Sequence, residues 1–427
     1  MKKIKIGILG LGTVGGGVIN ILKTHKENFL RDQGVDIEIV QVASRSIEKA
    51  RQLGVEDIFT TDGYELINNP EIDIIVELIG GTDIARDYIY AAIEAGKRVI
   101  TANKAVMAQD FYELLEQSGT KGVELAFEAS VGGGIPIIGA LRNSLIGNRI
   151  ESVLGIVNGT TNYMLSQMTQ FGYDYNTVLQ EAQELGYAEA DPTADVGGYD
   201  AAAKIAILTT LAFNTEVVLS QVPTEGITRL TPLDIANAAD MGYVIKLLAI
   251  SNRTPEGIDM RVHPTMLPFD HALASVNGVF NAIFVVGDSV GETMFYGQGA
   301  GAGAAASAVV GDLIEVSQRI AFDITRPYIR FGTEQLPLKP ANEVVLSYYL
   351  RLPVPDKVGV VAATATAFAN QGVSINRMMQ YPSTDESGIA ELIYVTHPTR
   401  EGDLKAVVAE IETSGILAAE AVLIRML

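Results

Sequence analysis

The chain has 427 residues, 48% hydrophobic and 19% charged, with a formal net charge of −20. That length calls for two or three domains with buried cores, and the charge disfavours nucleic acid or an anionic membrane as a partner. The absence of cysteine excludes disulfides and every thiol-based mechanism, including the thioester route of phosphorylating aldehyde dehydrogenases. Four scattered histidines, His25, His263, His271 and His397, offer no zinc site of ordinary spacing. No apolar run is long enough to span a bilayer, and MKKIKIGILGLGTVGG reads as a strand and glycine turn, so a cytoplasmic protein is expected.

In chain order, Ile4 to Leu9 is a short apolar strand running into Gly10-Leu11-Gly12-Thr13-Val14-Gly15, and Gly17 to Leu22 then reads as an amphipathic helix. In that order the glycines have mechanical meaning: a tight turn, close approach of backbone to a pyrophosphate, and close helix–strand packing at a helix N-terminus. The second strand, Ile37 to Val42, would end in a carboxylate if a ribose 2′-hydroxyl were to be held. It ends Ala43-Ser44-Arg45-Ser46, followed by Lys49 and Arg51. Arg45 suits a 2′-phosphate, so NADP is expected; stacking of Arg45 on adenine would admit NAD as well. Asp62 to Ile67, the strand Ile72 to Leu78 and Lys97 to Thr101 continue a strand–helix alternation, which implies a doubly wound parallel sheet. Lys104 follows the strand Arg98 to Thr101, at the carboxyl edge where such sheets bind ligands.

From about Gly134 the pattern changes to a helix over Pro136 to Leu145, a strand over Arg149 to Asn158 and a helix over Tyr163 to Thr169, an α/β substrate domain. Residues 182–204, AQELGYAEADPTADVGGYDAAAK, gather Glu189, Asp191, Asp195, Asp200 and Lys204 around a turn that opens into a helix. Asp200 and Lys204 are an i, i+4 pair on one helix face, which alone reads as an ordinary salt bridge beside a solvated acidic loop. Asp191-Pro192 is a common turn starter and Asp195 a possible helix cap. Tyr296 to Gly301, before the alanine-rich Ala304 to Glu315, reads either as a second glycine turn or as close helix packing.

Arg326-Pro327 to Pro340 carries three prolines and little periodicity, and reads as a linker. Beyond it come a strand Val344–Arg351, a helix Val358–Asn370, strands Val373–Tyr381 and Ile389–His397, a helix Leu404–Ser414 and a strand Ala419–Met426. This is the βαββαβ order of ferredoxin-like domains. The expected division is 1–133, completed by about 300–325, then 134–300, the linker 326–343, and 344–427.

The Ala182 to Lys204 pattern closely resembles the signature of homoserine dehydrogenases. TANKAVMA at Thr101 to Ala108, FEASVGGGIPII at Phe127 to Ile138 and VNGTTNYML at Val157 to Leu165 agree with the same family. The turn Pro355-Asp356-Lys357-Val358-Gly359-Val360 resembles the ligand loop of ACT domains, with Val358 where that family usually has proline. The resemblance implies reversible reduction of L-aspartate 4-semialdehyde to L-homoserine, in threonine, methionine and isoleucine biosynthesis. It implies Lys204 as proton donor and base, Lys104 as a second cation near the alkoxide, and Glu189, Asp200 and Asp195 around the substrate ammonium. It implies a cofactor held by Gly10, Gly12, Thr13, Val14, Gly15, Arg45, Lys104, Gly186 and Gly301. It also implies sodium or potassium on the carbonyls of Glu128, Val131, Gly133 and Ile135, a segment that unaided reads as a glycine hinge. The C-terminal module would bind an amino-acid effector, L-threonine, or serve only contacts in a homodimer or homotetramer. Two other readings share the plan: a reductase of another small amino or oxo acid, and a nucleotide-sensing protein without catalysis.

Overall fold

The computed structural model describes residues 2–324, 334–383 and 388–427. The chain packs as two units, Met1–Val153 with Ala203–Gln221 and Phe280–Gln335, and Leu154–Ala202 with Val222–Val279 and Leu336–Leu427.

The first unit is built on a six-stranded parallel sheet. Its strands are β1 (Lys3–Leu9), β2 (Asp36–Ala43), β3 (Phe59–Thr60), β4 (Ile74–Glu77), β5 (Arg98–Thr101) and β6 (Leu125–Ala126), in the spatial order β3-β2-β1-β4-β5-β6. The order reverses direction at β1, as in a doubly wound fold. β1 from Ile6 onward and β4 up to Val76 are apolar on both faces because helices cover both faces of such a sheet. Ile4, Ile6, Ile8, Ile74 and Val76 lie in one buried cluster with Val18 and Ile19. The first helix, Thr13–Thr24, starts four residues before the expected Gly17. The Pro136 to Leu145 helix is in fact a single turn, Ile137–Gly139, running into a π-helical segment, Ala140–Ser144.

β7 (Ile150–Ile156) and the helix Tyr199–Phe213 straddle the division between the units. In the second unit β8 (Tyr243–Thr254) and β9 (Gly257–Pro268) form a long antiparallel hairpin. The chain re-enters the first unit as the hairpin β10 (Phe280–Gly287) and β11 (Gly291–Gln298), then the helix Ala302–Ala321. Val309, Val310, Leu313 and Val316 of that helix join the β1–β4 cluster, so the helix packs into the core of the first unit.

The C-terminal module has every element expected: β12 (Val345–Pro355), the helix Val360–Asn370, β13 (Ile375–Tyr381), β14 (Ile389–Thr396), a short β15 (Thr399–Arg400), the helix Glu401–Thr413 and β16 (Val422–Met426). It is not separated from what precedes it. β16 pairs in parallel with β9 through Arg425↔Thr265 and Met426↔Met266, which joins the sheet of the module to the β8–β9 hairpin. The expected linker lies outside the described residues as far as 333. At Pro337 to Lys339 it hydrogen-bonds both sides of Ile258, at 2.8 Å each, and so belongs to the same unit.

Candidate active site

In the first unit β1 delivers the chain into a turn that only glycine tolerates. Gly10 has φ +100°, and a Cβ there would lie 2.6 Å from the carbonyl of Leu78; one on Gly15 would lie 2.1 Å from the carbonyl of Gly10. At Gly12 a Cβ would meet nothing within 4 Å, so the helix N-terminus there opens onto free space. Thr13 and Val14 form its first turn. Gly301 caps the helix Ala302–Ala321, and a Cβ on Gly17 would lie 2.9 Å from the carbonyl of Ala302. Further along, the Gln318 amide donates to the Gln33 carbonyl. The two helices therefore run side by side in the same direction, with both N-termini at the end of the glycine turn. Each N-terminus presents unpaired N–H groups to an anion. Arg45 stands exposed two residues past β2, with no hydrogen-bond or ion-pair partner among the described residues; Arg51 is engaged with Glu48 at 2.6 Å.

Lys104 is the first residue of the helix Lys104–Lys121 and is exposed. Asn103 caps that helix, accepting the N–H groups of Ala105 and Val106 at 3.1 Å each, and its amide donates to the carbonyls of Ile79 and Gly81. Behind it lies a residue that sequence reasoning passed over as the end of an apolar strand. Glu77 is fully buried, accepting the Ile79 N–H and the Thr101 hydroxyl at 2.6 Å each. Burial pushes its carboxyl up to about 7 against the pull of those two donors.

In the second unit the acidic segment divides. Glu189 and Asp191 are exposed, and Asp191 closes its own turn by accepting the Thr193 N–H and hydroxyl, which holds its carboxyl below the usual range. Asp195 sits in the short helix Thr193–Val196. Asp200 and Lys204 are 6% and 7% exposed, so they are not the solvated pair their spacing alone suggests. Asn158 explains part of this. Its Nδ2 donates to Asp195 at 2.7 Å and to Asp200 at 2.9 Å, while its Oδ1 accepts the N–H of Thr161 and caps the helix Gly159–Phe171. The VNGTTNY segment could have revealed it, since an asparagine at a helix N-cap has its amide left to donate. Gly186, exposed at φ +75°, turns the chain after the helix Tyr175–Glu184.

The segment expected to hold a cation lies in the first unit. Glu128 spends its side chain on the N–H groups of Ile138 and Gly139, at 2.8 and 2.6 Å, and its own N–H on Asp312. Burial pushes both carboxyls up, Asp312 to about 7. Gly133 has φ +57°, and a Cβ there would lie 2.5 Å from the carbonyl of Gly299. The Ile135 carbonyl accepts the N–H of Ile137. Among the described residues no backbone hydrogen bond outside regular elements reaches the carbonyls of Glu128, Val131 or Gly133. The Asn281 side chain, packed under Gly299, is 1% exposed, and neither of its amide atoms has a partner among the described residues.

In the C-terminal module the loop after β12 borders a cavity of about 170 Å³ lined by Val354, Lys357, Gly359, Val361, Gln380 and Leu392. Val358 projects fully into solvent.

A doubly wound parallel sheet with a glycine turn at a helix N-terminus is the fold of a dinucleotide-binding protein. Residues 10–128 match the homoserine dehydrogenase NAD-binding domain, 136–314 the homoserine dehydrogenase domain and 348–414 the ACT domain. A homoserine dehydrogenase of Pseudomonas aeruginosa is 44% identical over 417 residues, 96% of each chain. The crystal structure of a homoserine dehydrogenase from Thiobacillus denitrificans superposes with a TM-score of 0.94 at 42% identity, covering 100% of this chain and 99% of that one. A hyperthermophilic archaeal homoserine dehydrogenase in complex with NADPH is 26% identical, with a TM-score of 0.63 over 74% of this chain and 98% of that one. The chain belongs to the homoserine dehydrogenase family.

Proposed function

We propose that the chain interconverts L-aspartate 4-semialdehyde and L-homoserine with Lys204 as the proton-transferring group. The observation that carries this reading is the Asn158 amide, which draws Asp195 and Asp200 together at the start of the helix that bears Lys204. A carboxylate has about four acceptor sites on its two oxygens, enough to serve an amide and a substrate ammonium together, and such a pair rejects analogues lacking the ammonium. Glu189, exposed and with no side-chain partner among the described residues, is available as a third acceptor. Lys204 gives a proton to the aldehyde oxygen in reduction and takes it back in oxidation. Lys104 adds positive charge where the alkoxide grows. The bound dinucleotide supplies or accepts the hydride. Gly10 to Gly15, Gly186 and Gly301 belong to its binding, and Arg45 favours a 2′-phosphate, hence NADP over NAD.

The Glu128, Val131 and Gly133 carbonyls and the partnerless Asn281 amide suit a hard monovalent cation, sodium or potassium, that would order this loop. The cavity beside Val358 suits a small amino acid, L-threonine first, as a feedback inhibitor. β13 is an edge strand, which suits pairing of copies into a homodimer or homotetramer. A cytoplasmic setting in threonine, methionine and isoleucine biosynthesis completes the reading. The test is cofactor reduction with homoserine against a panel of other hydroxy amino acids, each with NADP and NAD. Turnover restricted to homoserine supports the proposal; equal turnover of a hydroxy acid without the amino group overturns it.

A further inference from the structure

Glu77 ends a strand whose preceding residues Ile74, Ile75 and Val76 are all fully buried and apolar. A fourth apolar side chain would satisfy packing there, yet the position holds a fully buried carboxyl with no Lys or Arg paired to it among the described residues. Burying such a group costs several kcal/mol unless hydrogen bonds replace its water. Its two oxygens are spent on two different loops: Oε1 accepts the N–H of Ile79 in the segment after β4, and Oε2 accepts the hydroxyl of Thr101 at the end of β5. Thr101 Oγ1 in turn accepts the Asn103 N–H at 3.0 Å, and the Asn103 amide returns to the carbonyls of Ile79 and Gly81. The ring so closed ends at the cap of the helix that begins with Lys104. It also lies against the phosphate turn, since the Leu78 carbonyl is the atom a Cβ on Gly10 would strike.

We propose that Glu77 is a positioning residue: it ties the loops leaving β4 and β5 together and thereby fixes Lys104 at the carboxyl edge of the nucleotide-binding sheet. This rests on Lys104 facing the reacting atoms. Only a carboxylate accepts from both loops at once. Glutamine would keep the Ile79 bond through its oxygen but turn its amide N–H groups toward Thr101, so that the Thr101 hydroxyl proton loses its acceptor.

The experiment is a double-mutant cycle on the full chain: Glu77→Gln, Lys104→Ala and both together, measured for kcat, KM, NADPH binding by fluorescence and thermal unfolding. Glu77→Gln is expected to lower kcat by on the order of 10- to 100-fold, as displacement of a catalytic group by about an ångström does. In the Lys104→Ala background it should lower kcat by less than about twofold, because residues acting through one another are not additive. Thr101→Val, which removes the second link, should behave like Glu77→Gln and serves if the latter fails to fold. Parental kcat in Glu77→Gln, or effects that multiply in the double variant, overturn the proposal. Parental turnover in Lys104→Ala overturns the reading of Lys104 on which it rests.

Discussion

Arg351 on β12 grips Asp234 with two hydrogen bonds, Nε at 2.7 Å and Nη2 at 3.1 Å, in a pair whose side chains are 7% and 0% exposed. Asp234 also closes the capping box of the helix Pro232–Asp240, and Tyr349 donates to its other side. On β13, Tyr381 reaches Asn237 of the same helix at 2.7 Å. The C-terminal module is thus bound to the helix Pro232–Asp240 by polar groups on one face of its sheet, while Gln380 and Leu392, beside those strands' bonded residues, line the cavity described above.

Removing one partner of that buried pair leaves the other charge uncompensated. Arg351→Ala is expected to destabilise the chain by about 3 to 5 kcal/mol in chemical denaturation. Deleting the module after Pro340 should do more, because it strips β16 from β9. The proposed inhibition by threonine is therefore better tested with Gln380→Ala in the full chain, where any inhibition of the parent should weaken while turnover without threonine stays parental.

Asn158→Ala removes the donor shared by Asp195 and Asp200. The homoserine KM should rise by about 10- to 100-fold, the size expected for hydrogen bonds to charged groups, with the cofactor KM little changed. A steady-state titration of each substrate checks this, and an unchanged homoserine KM would remove Asn158 from the site.

Lys204→Ala should lose on the order of 10²- to 10⁴-fold in kcat, the ordinary share of general acid–base catalysis. NADPH binding, followed by fluorescence, should stay within a few-fold of the parent. Near-parental turnover would leave Lys204 as a packing partner of its helix.

Arg45→Ala should weaken NADP by about 1.5 to 3 kcal/mol and NAD by much less, because only the former has a 2′-phosphate to lose contact with. Equal weakening of both, measured by titration, would place Arg45 against adenine.

Much of the fold was readable without coordinates. Hydrophobic runs marked β1, β2, β4 and β5, and the Gly10 turn marked where the sheet binds its ligand, because both follow from local sterics and burial. All six main elements of the C-terminal module were legible, although β12 runs four residues past the expected Arg351, through Pro353 to Pro355. Proline ordinarily breaks a strand, but β16 pairs with β12 only as far as Arg351. Beyond that point β12 is an edge, where a missing N–H costs little.

What the sequence determined by itself was whatever depends on neighbours in the chain: the glycine turn, the spacing of Asp200 and Lys204, the strand and helix order, and the family signature. The tertiary structure decided which polar groups lose their water and what replaces it. Asn158 meets Asp195 and Asp200 across 37 and 42 residues, Glu77 meets Thr101 across 24, and Arg351 meets Asp234 across 117. A buried polar group must find a partner, but its identity is set by the packing of strands and helices distant in sequence, which periodicity and composition do not encode.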